Sequence, residues 1–445
     1  MTRTPWRRKV AAATLAGTVL AVGGSLAPAL AASPPPALNV STPAASLRYS
    51  LDQLLGAHAV LAILTLDALY KGSAWAPDLA AQLNTNTQEL SAAIASVYGS
   101  AAGQAFQTMW AGHITDFVHY EAAVKSNNAA GKQAALNALA TYEQQFAAFM
   151  AKADPYMNET TLASSLQVHV QQIIQAFTAY TQNDPTAFAA DLTAAYNHMF
   201  MDGQYFAQAI VQQFPAKFGN TSPNTPAANL TATLDQLLGA HAWLAVTTLD
   251  GLYSGSANAT ALAGQLAANT QSLSGAIASV YGSAAGQAFQ TMWAGHITDF
   301  VNYDTALKAN NTSGEQAAQN ALATYEQQFA AFMAKANPNL SATTLASSLQ
   351  VHVTQIIQAL QAYAGGQPSS AANDLVVAYN HMFMDGAYLG QAIVTQFPSK
   401  FSPTMTQATS PVTGLPLAPI AGVGVAALLA GAYLLRPKKV RANRT

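Results

Sequence analysis

AIASVYGSAAGQAFQTMWAGHITDFV, residues 93–118, recurs letter for letter at residues 276–301. Within it Phe106, Met109, Trp110, His113 and Phe117, followed by Tyr120, return every three or four residues. That spacing places them on one face of an α-helix. The glycines at 99 and 103 mark a break in front of it. The repeat extends far beyond the identical block: residues 48–218 and 231–401 align without a gap at an offset of 183. A period of this length with such strong self-similarity means a duplicated module.

The same periodicity fills the rest of each module. Leu51, Leu54, Leu55, His58, Leu61, Thr65 and Leu69 form one stripe. Leu162, Leu166, His169, Ile173 and Phe177 form another. Glycine and proline breaks near residues 72–77, 99–103, 131, 155 and 185 cut module 1 into about six helices. No segment sustains the alternation of a strand. The predicted fold class is all-α: two tandem helical-bundle modules of about six helices each, paired as three hairpins, plus a C-terminal transmembrane helix.

The ends predict the compartment. A basic head, a short apolar run and the small-x-small site Ala29-Leu30-Ala31 read as a signal peptide over residues 1–31. A Pro-rich lead (32–45) precedes module 1 (46–218). A linker (219–229), module 2 (230–401) and a stalk (402–413) follow. Residues 414–435 are apolar and long enough to span a bilayer. The basic tail 436–445, with Arg436, Lys438, Lys439, Arg441 and Arg444, would stay cytoplasmic. The expected protein is single-pass, with its body extracytoplasmic and the membrane as a partner. Leu415-Pro416-Leu417-Ala418-Pro419 resembles a sortase sorting motif but lacks the Thr-Gly, so a retained helix is expected in place of wall attachment.

Composition narrows the function classes. A net charge of −2, with 9% charged residues and no basic face interleaved with aromatics, argues against nucleic acid. The chain has no cysteine, which removes disulfides, thiolate metal sites and covalent haem attachment. No G-x-S-x-G, phosphate-cradling glycine loop or H-E-x-x-H is present, so no enzyme activity is assigned.

Histidine carries the functional signal. Eight of the nine histidines form four pairs related by the duplication: His58/His241, His113/His296, His169/His352 and His198/His381. The ninth, His119, has Asn302 in its place and is expected on the surface. His58, His113 and His169 are 55 and 56 residues apart, each on the first helix of a predicted hairpin, where leucine would be expected. Buried imidazoles need partners for both ring nitrogens, at roughly 1–3 kcal/mol for each one left unsatisfied. Coordination of a metal is one solution. Met201 and Met384, with Met109 and Met199, would bias such a site toward copper. Asp116, Asp202, Asp299 and Asp385, one turn after a histidine, are candidate outer acceptors that orient the rings. Non-covalent haem between two histidines is an alternative. So is a cofactor-free structural or adhesive spacer, holding an unidentified surface partner, in which each histidine simply bonds a neighbouring helix. Ferritin-like Glu-x-x-His pairs and hemerythrin-like His-x-x-x-His pairs are missing.

The octet YNHMFMDG, at 196–203 and 379–386, stays fixed while the residues flanking it differ. Either a ligand site or a tight helix crossing would hold it, with Gly203 permitting close approach.

The strings LDQLLGAHA, AIASVYG, GHITDFV, AYNHMF and QFP, spread over residues 48–401, resemble a helical repeat of exported Gram-positive bacterial proteins. Some relatives of that repeat carry a label from an adjoining copper amine oxidase N-terminal-like domain. The resemblance implies a secreted helical repeat and no particular chemistry. Asn302-Tyr303-Asp304 fits the cofactor-forming tripeptide of such oxidases, but module 1 has His119-Tyr120-Glu121 there and the chain has no His-x-His pair.

Overall fold

The computed structural model describes residues 38–402, and among these there is no strand. Module 1 comprises α1 (Pro43–Lys71), α2 (Ala76–Tyr98), α3 (Ser100–Lys125), α4 (Ala129–Ala153), α5 (Glu159–Thr181) and α6 (Pro185–Gln213). Module 2 repeats them as α7 (Pro226–Ser254), α8 (Ala259–Tyr281), α9 (Ser283–Lys308), α10 (Thr312–Ala336), α11 (Ala342–Ala364) and α12 (Pro368–Gln396). A 3-10 turn (Pro215–Phe218) and a short helix (Pro398–Phe401) trail the two modules. The predicted signal peptide, transmembrane segment and basic tail lie outside the described residues.

Local chemistry sets the boundaries. The Thr42 side chain accepts the Ala45 N–H at the start of α1, and Pro43 occupies the first turn. Gly72, at φ 69°, ends the helix in the left-handed region. Thr225, Pro226 and Gly255 repeat that arrangement around α7. Asn128, Asn158 and Asp184 cap α4, α5 and α6 through side-chain oxygens. Because α7 is capped by Thr225, it starts inside the stretch expected as linker. That stretch is held by buried Arg48, whose Nη1 donates to Pro223 O at 3.2 Å and Asn229 Oδ1 at 2.5 Å.

Short connections make successive helices antiparallel, so α1, α3 and α5 run in the same direction. Sequential helices pack side by side, and α6 closes the ring onto α1, which also touches α3 and α5. Helix α1 is apolar and long enough to cross a membrane, with a mean hydropathy of 1.4. However, 67% of that window is buried within the protein, as for a core helix.

The two modules meet through a reciprocal interface. Tyr196 Oη donates to Gln236 O at 2.9 Å, and Tyr379 Oη to Gln53 O at 2.9 Å. Gln236 donates to Asn197, and Gln53 to Asn380. Phe200 stacks on Phe383 at 6.3 Å. Equivalent residues exchanging equivalent contacts is the pattern of a two-fold axis. A continuous apolar core runs from module 1 into α7 and α12. The octet therefore has a packing role: Tyr196, Asn197 and Phe200 bind the other module, while Gly203 lets α6 lie against Asp52 of α1.

Candidate metal centre

Because α1, α3 and α5 are parallel, residues at equal heights along them face one another. His58, His113 and His169 sit at such a level, as do His241, His296 and His352 in module 2. In each trio one nitrogen per ring lies within 4.8 Å of the other two. Ring centroids are 5.3 Å apart for His58–His113, 5.5 Å for His58–His169 and 6.2 Å for His113–His169. Module 2 repeats these at 5.2, 5.6 and 6.3 Å. None of the six is more than 1% exposed. Burial pushes all six well below the usual imidazole range, and in five of them a neighbouring imidazole of the trio lowers the pKa further. His352 falls to about 3, through burial and then His381. At neutral pH these are neutral rings, the form that ligates a metal.

The surroundings decide which lone pairs are free. The Trp110 indole N–H donates to His58 Nδ1 at 3.3 Å, and Trp293 does the same to His241 at 3.3 Å. A neutral His58 accepting at Nδ1 carries its proton on Nε2, which faces His113 Nε2 at 3.3 Å. His113 then accepts and carries its own proton on Nδ1, which is directed toward the Trp110 main chain one turn back without reaching good hydrogen-bond geometry. Neither nitrogen of His169 has a hydrogen-bond partner among the described residues, and the same holds for His352. Tyr142 stacks on His113 at 4.5 Å with its buried hydroxyl unpartnered, while Phe117 and Phe146 close the walls. Each orphaned nitrogen costs about 1–3 kcal/mol if nothing fills the space. Two nitrogens on one ion, each at 2.0–2.1 Å from it, stand roughly 3.3–3.5 Å apart. The His58–His113 separation of 3.3 Å already meets that, and the nitrogens of all three rings lie within 4.8 Å of one another.

The fourth histidine pair lies outside these trios. His198 Nε2 donates to Ser165 O at 3.0 Å, with Asp202 Oδ2 at 3.5 Å, and Ser165 Oγ donates to Asp202 Oδ1 at 2.5 Å. His381, Ser348 and Asp385 repeat the group. Serine and aspartate both address the same ring nitrogen and the hydroxyl proton goes to the carboxylate, so the cluster lacks the serine-to-imidazole relay of a hydrolase. Burial raises the Asp202 and Asp385 carboxyls.

Met201, Met384 and two of the aspartates are elsewhere. Met201 is 40% and Met384 63% exposed. Two residues along a helix turn the side chain by roughly 200°, so Met201 points away from the buried side that Met199 and Gly203 face. Asp116 lies 4.0 Å from His119 on a partly exposed face and bonds no trio histidine; Asp299 is likewise partly exposed. Among the histidines and carboxylates of the described residues, the groups that converge in each module are imidazoles alone. Trp110 and Tyr142 are the neighbours that sequence reasoning did not single out. For Trp110 the signal was its position one turn before His113 on the same stripe; Tyr142 gave none.

Comparison of the chain with protein-family models, with curated proteins and with solved structures finds no match.

Proposed function

We propose that this is a membrane-anchored, extracytoplasmic binding protein whose two bundles each hold one transition-metal ion on a trio of imidazoles. The observation that carries the reading is His169: fully buried, neutral, without a partner for either nitrogen, and facing two other neutral histidines. A three-imidazole set suits copper or zinc and disfavours magnesium or calcium, which want oxygen. The apolar leader and the span with its basic flank, read from sequence, support the extracytoplasmic placement. The close spacing of the three rings, with ligand nitrogens within 4.8 Å of one another, favours a compact ion over a haem, whose macrocycle would have to part them.

The test uses the intact protein, purified gently and assayed for bound metal. About one equivalent per module is expected, lost in the double variant His169→Ala, His352→Ala, which removes no protein hydrogen bond. Metal-free protein whose melting temperature is unmoved by copper or zinc would overturn the proposal.

A second reading has its own observation. The run from the Trp110 indole through His58 to His113 is a hydrogen-bonded chain that needs no ion, and it fits a structural spacer. That reading leaves His169 unexplained.

A further inference from the structure

Away from the histidines, a cleft of about 210 Å³ opens between the modules, lined by equivalent residues from both. Its walls are largely apolar and aromatic: Leu64, Trp75, Tyr180, Phe188, Tyr363 and Leu375. Two carboxyl groups related by the duplication, Asp67 and Asp250, form part of this lining. Asp67 is 7% exposed, and its Oδ1 has no hydrogen-bond partner among the described residues. Asp250 Oδ1 is also buried and unpartnered. The one cationic group among the described lining residues, Lys71, is exposed and makes no ion pair with either. A buried carboxylate without a donor is costly to keep, and both groups raise their affinity for protons in response: burial lifts Asp67 and Asp250 well above the carboxylate range, with Asp304 adding to the effect on Asp250.

We infer that this cleft binds a small organic ammonium ion with an apolar body. Binding of the ammonium would release to solvent the protons that the two buried carboxyls hold in the empty cleft, leaving two carboxylates against one lysine and so one negative charge for a monovalent cation. The ammonium would be held by the Asp67 and Asp250 carboxyl groups, and the aromatic walls favour a cation over a neutral amine isostere. Trp75, packed on Tyr363 at 4.5 Å across the junction, forms one side of the cleft. This site is independent of the metal centres.

Phenethylammonium chloride serves as the probe and phenethyl alcohol as its neutral isostere, titrated calorimetrically into the full-length protein at neutral pH. One saturable site per chain is expected for the ammonium and none for the alcohol. Asp67→Asn and Asp250→Asn should each weaken binding by about tenfold or more, with the thermal melt confirming that the variants fold. Trp75→Ala, which removes a wall and leaves both carboxylates, should weaken it as well and remains informative if an Asn variant does not fold. Equal binding of the alcohol, affinity unchanged in the folded variants, or no saturable heat below about 10 mM ammonium would overturn the assignment.

Discussion

Asp52 occupies the space that a side chain on Gly203 would need. A Cβ there would collide with Oδ1 and stand 3.0 Å from the Asp52 main-chain nitrogen; Gly386 meets Asp235 in the same way. The backbone of α1 cannot yield as a flexible side chain would, so Gly203→Ala should destabilise the protein by about 1–3 kcal/mol. Gly112, also helical, has open space where a Cβ would stand, with no atom within 4 Å. Gly112→Ala should therefore stabilise by about 0.5–1 kcal/mol. Urea denaturation of the two variants side by side checks the contrast.

Trp110 and a metal compete for His58. Coordination through Nε2 moves the imidazole proton to Nδ1, where it would face the indole N–H. Trp110→Phe, paired with Trp293→Phe, removes one neutral hydrogen bond per module, worth about 0.5–1.5 kcal/mol. Copper or zinc affinity should then rise about two- to tenfold, measured by competition with a chelator, while the apoprotein melts lower. A fall in affinity would mean that the indole orients His58 for the ion.

The buried histidines and carboxylates give stability opposite pH dependences. His352 titrates near 3 in the folded chain against 6.5 for an unperturbed imidazole. Its contribution is present above about pH 6.5 and is lost as pH falls toward 3. Substituting His352→Gln should flatten the acid limb of stability by about 1.4 kcal/mol per pH unit in that window. Asp52, which burial pushes up to about 7 from 3.8 against the pull of Arg48, acts in reverse. Its contribution is complete below 3.8 and is lost as pH rises through 7, so Asp52→Asn should remove a destabilising slope between pH 4 and 7. Urea midpoints measured across pH 3–8 on the apoprotein test both.

The interface residues are the same on both sides: Tyr196 and Tyr379, Phe200 and Phe383, Gln53 and Gln236. Such a surface is self-complementary. A chain of residues 38–225 alone should associate into a homodimer using it, seen as a doubled mass by light scattering, and Gly56→Leu should block that association. Gly56 lies against the other module's tyrosine, where a Cβ would stand 2.7 Å from Tyr379 Oη. A soluble monomer of the single module would contradict this.

Much of this architecture was readable from residue spacing. The all-α class and the two six-helix modules follow from periodicity and from the glycine and proline breaks near residues 72–77, 99–103, 131, 155 and 185. The convergence of His58, His113 and His169 was implicit in their 55- and 56-residue intervals, which return the chain to the same height in successive hairpins. What spacing could not give was azimuth. Met201 is one turn from His198, yet it falls on the outer side of α6, because the inward face is set by which helices α6 meets. The fixed octet mixes three roles that only tertiary contacts separate: Tyr196 and Phe200 for the other module, His198 and Asp202 for Ser165, and Gly203 for α1. Arg48, whose partners are on the linker and α7, gave no signal in its own helix.

Joining the halves in one chain also released them from identity. In an association of two equal subunits every residue change on the axis is made twice, so a cavity there stays symmetrical. Here Lys71 is matched by Ser254, Trp75 by Asn258 and Arg48 by Thr231. Covalent fusion of the kind seen here is what allows a pocket on a two-fold axis to acquire a left and a right, and with them the ability to bind a lopsided molecule in a single orientation.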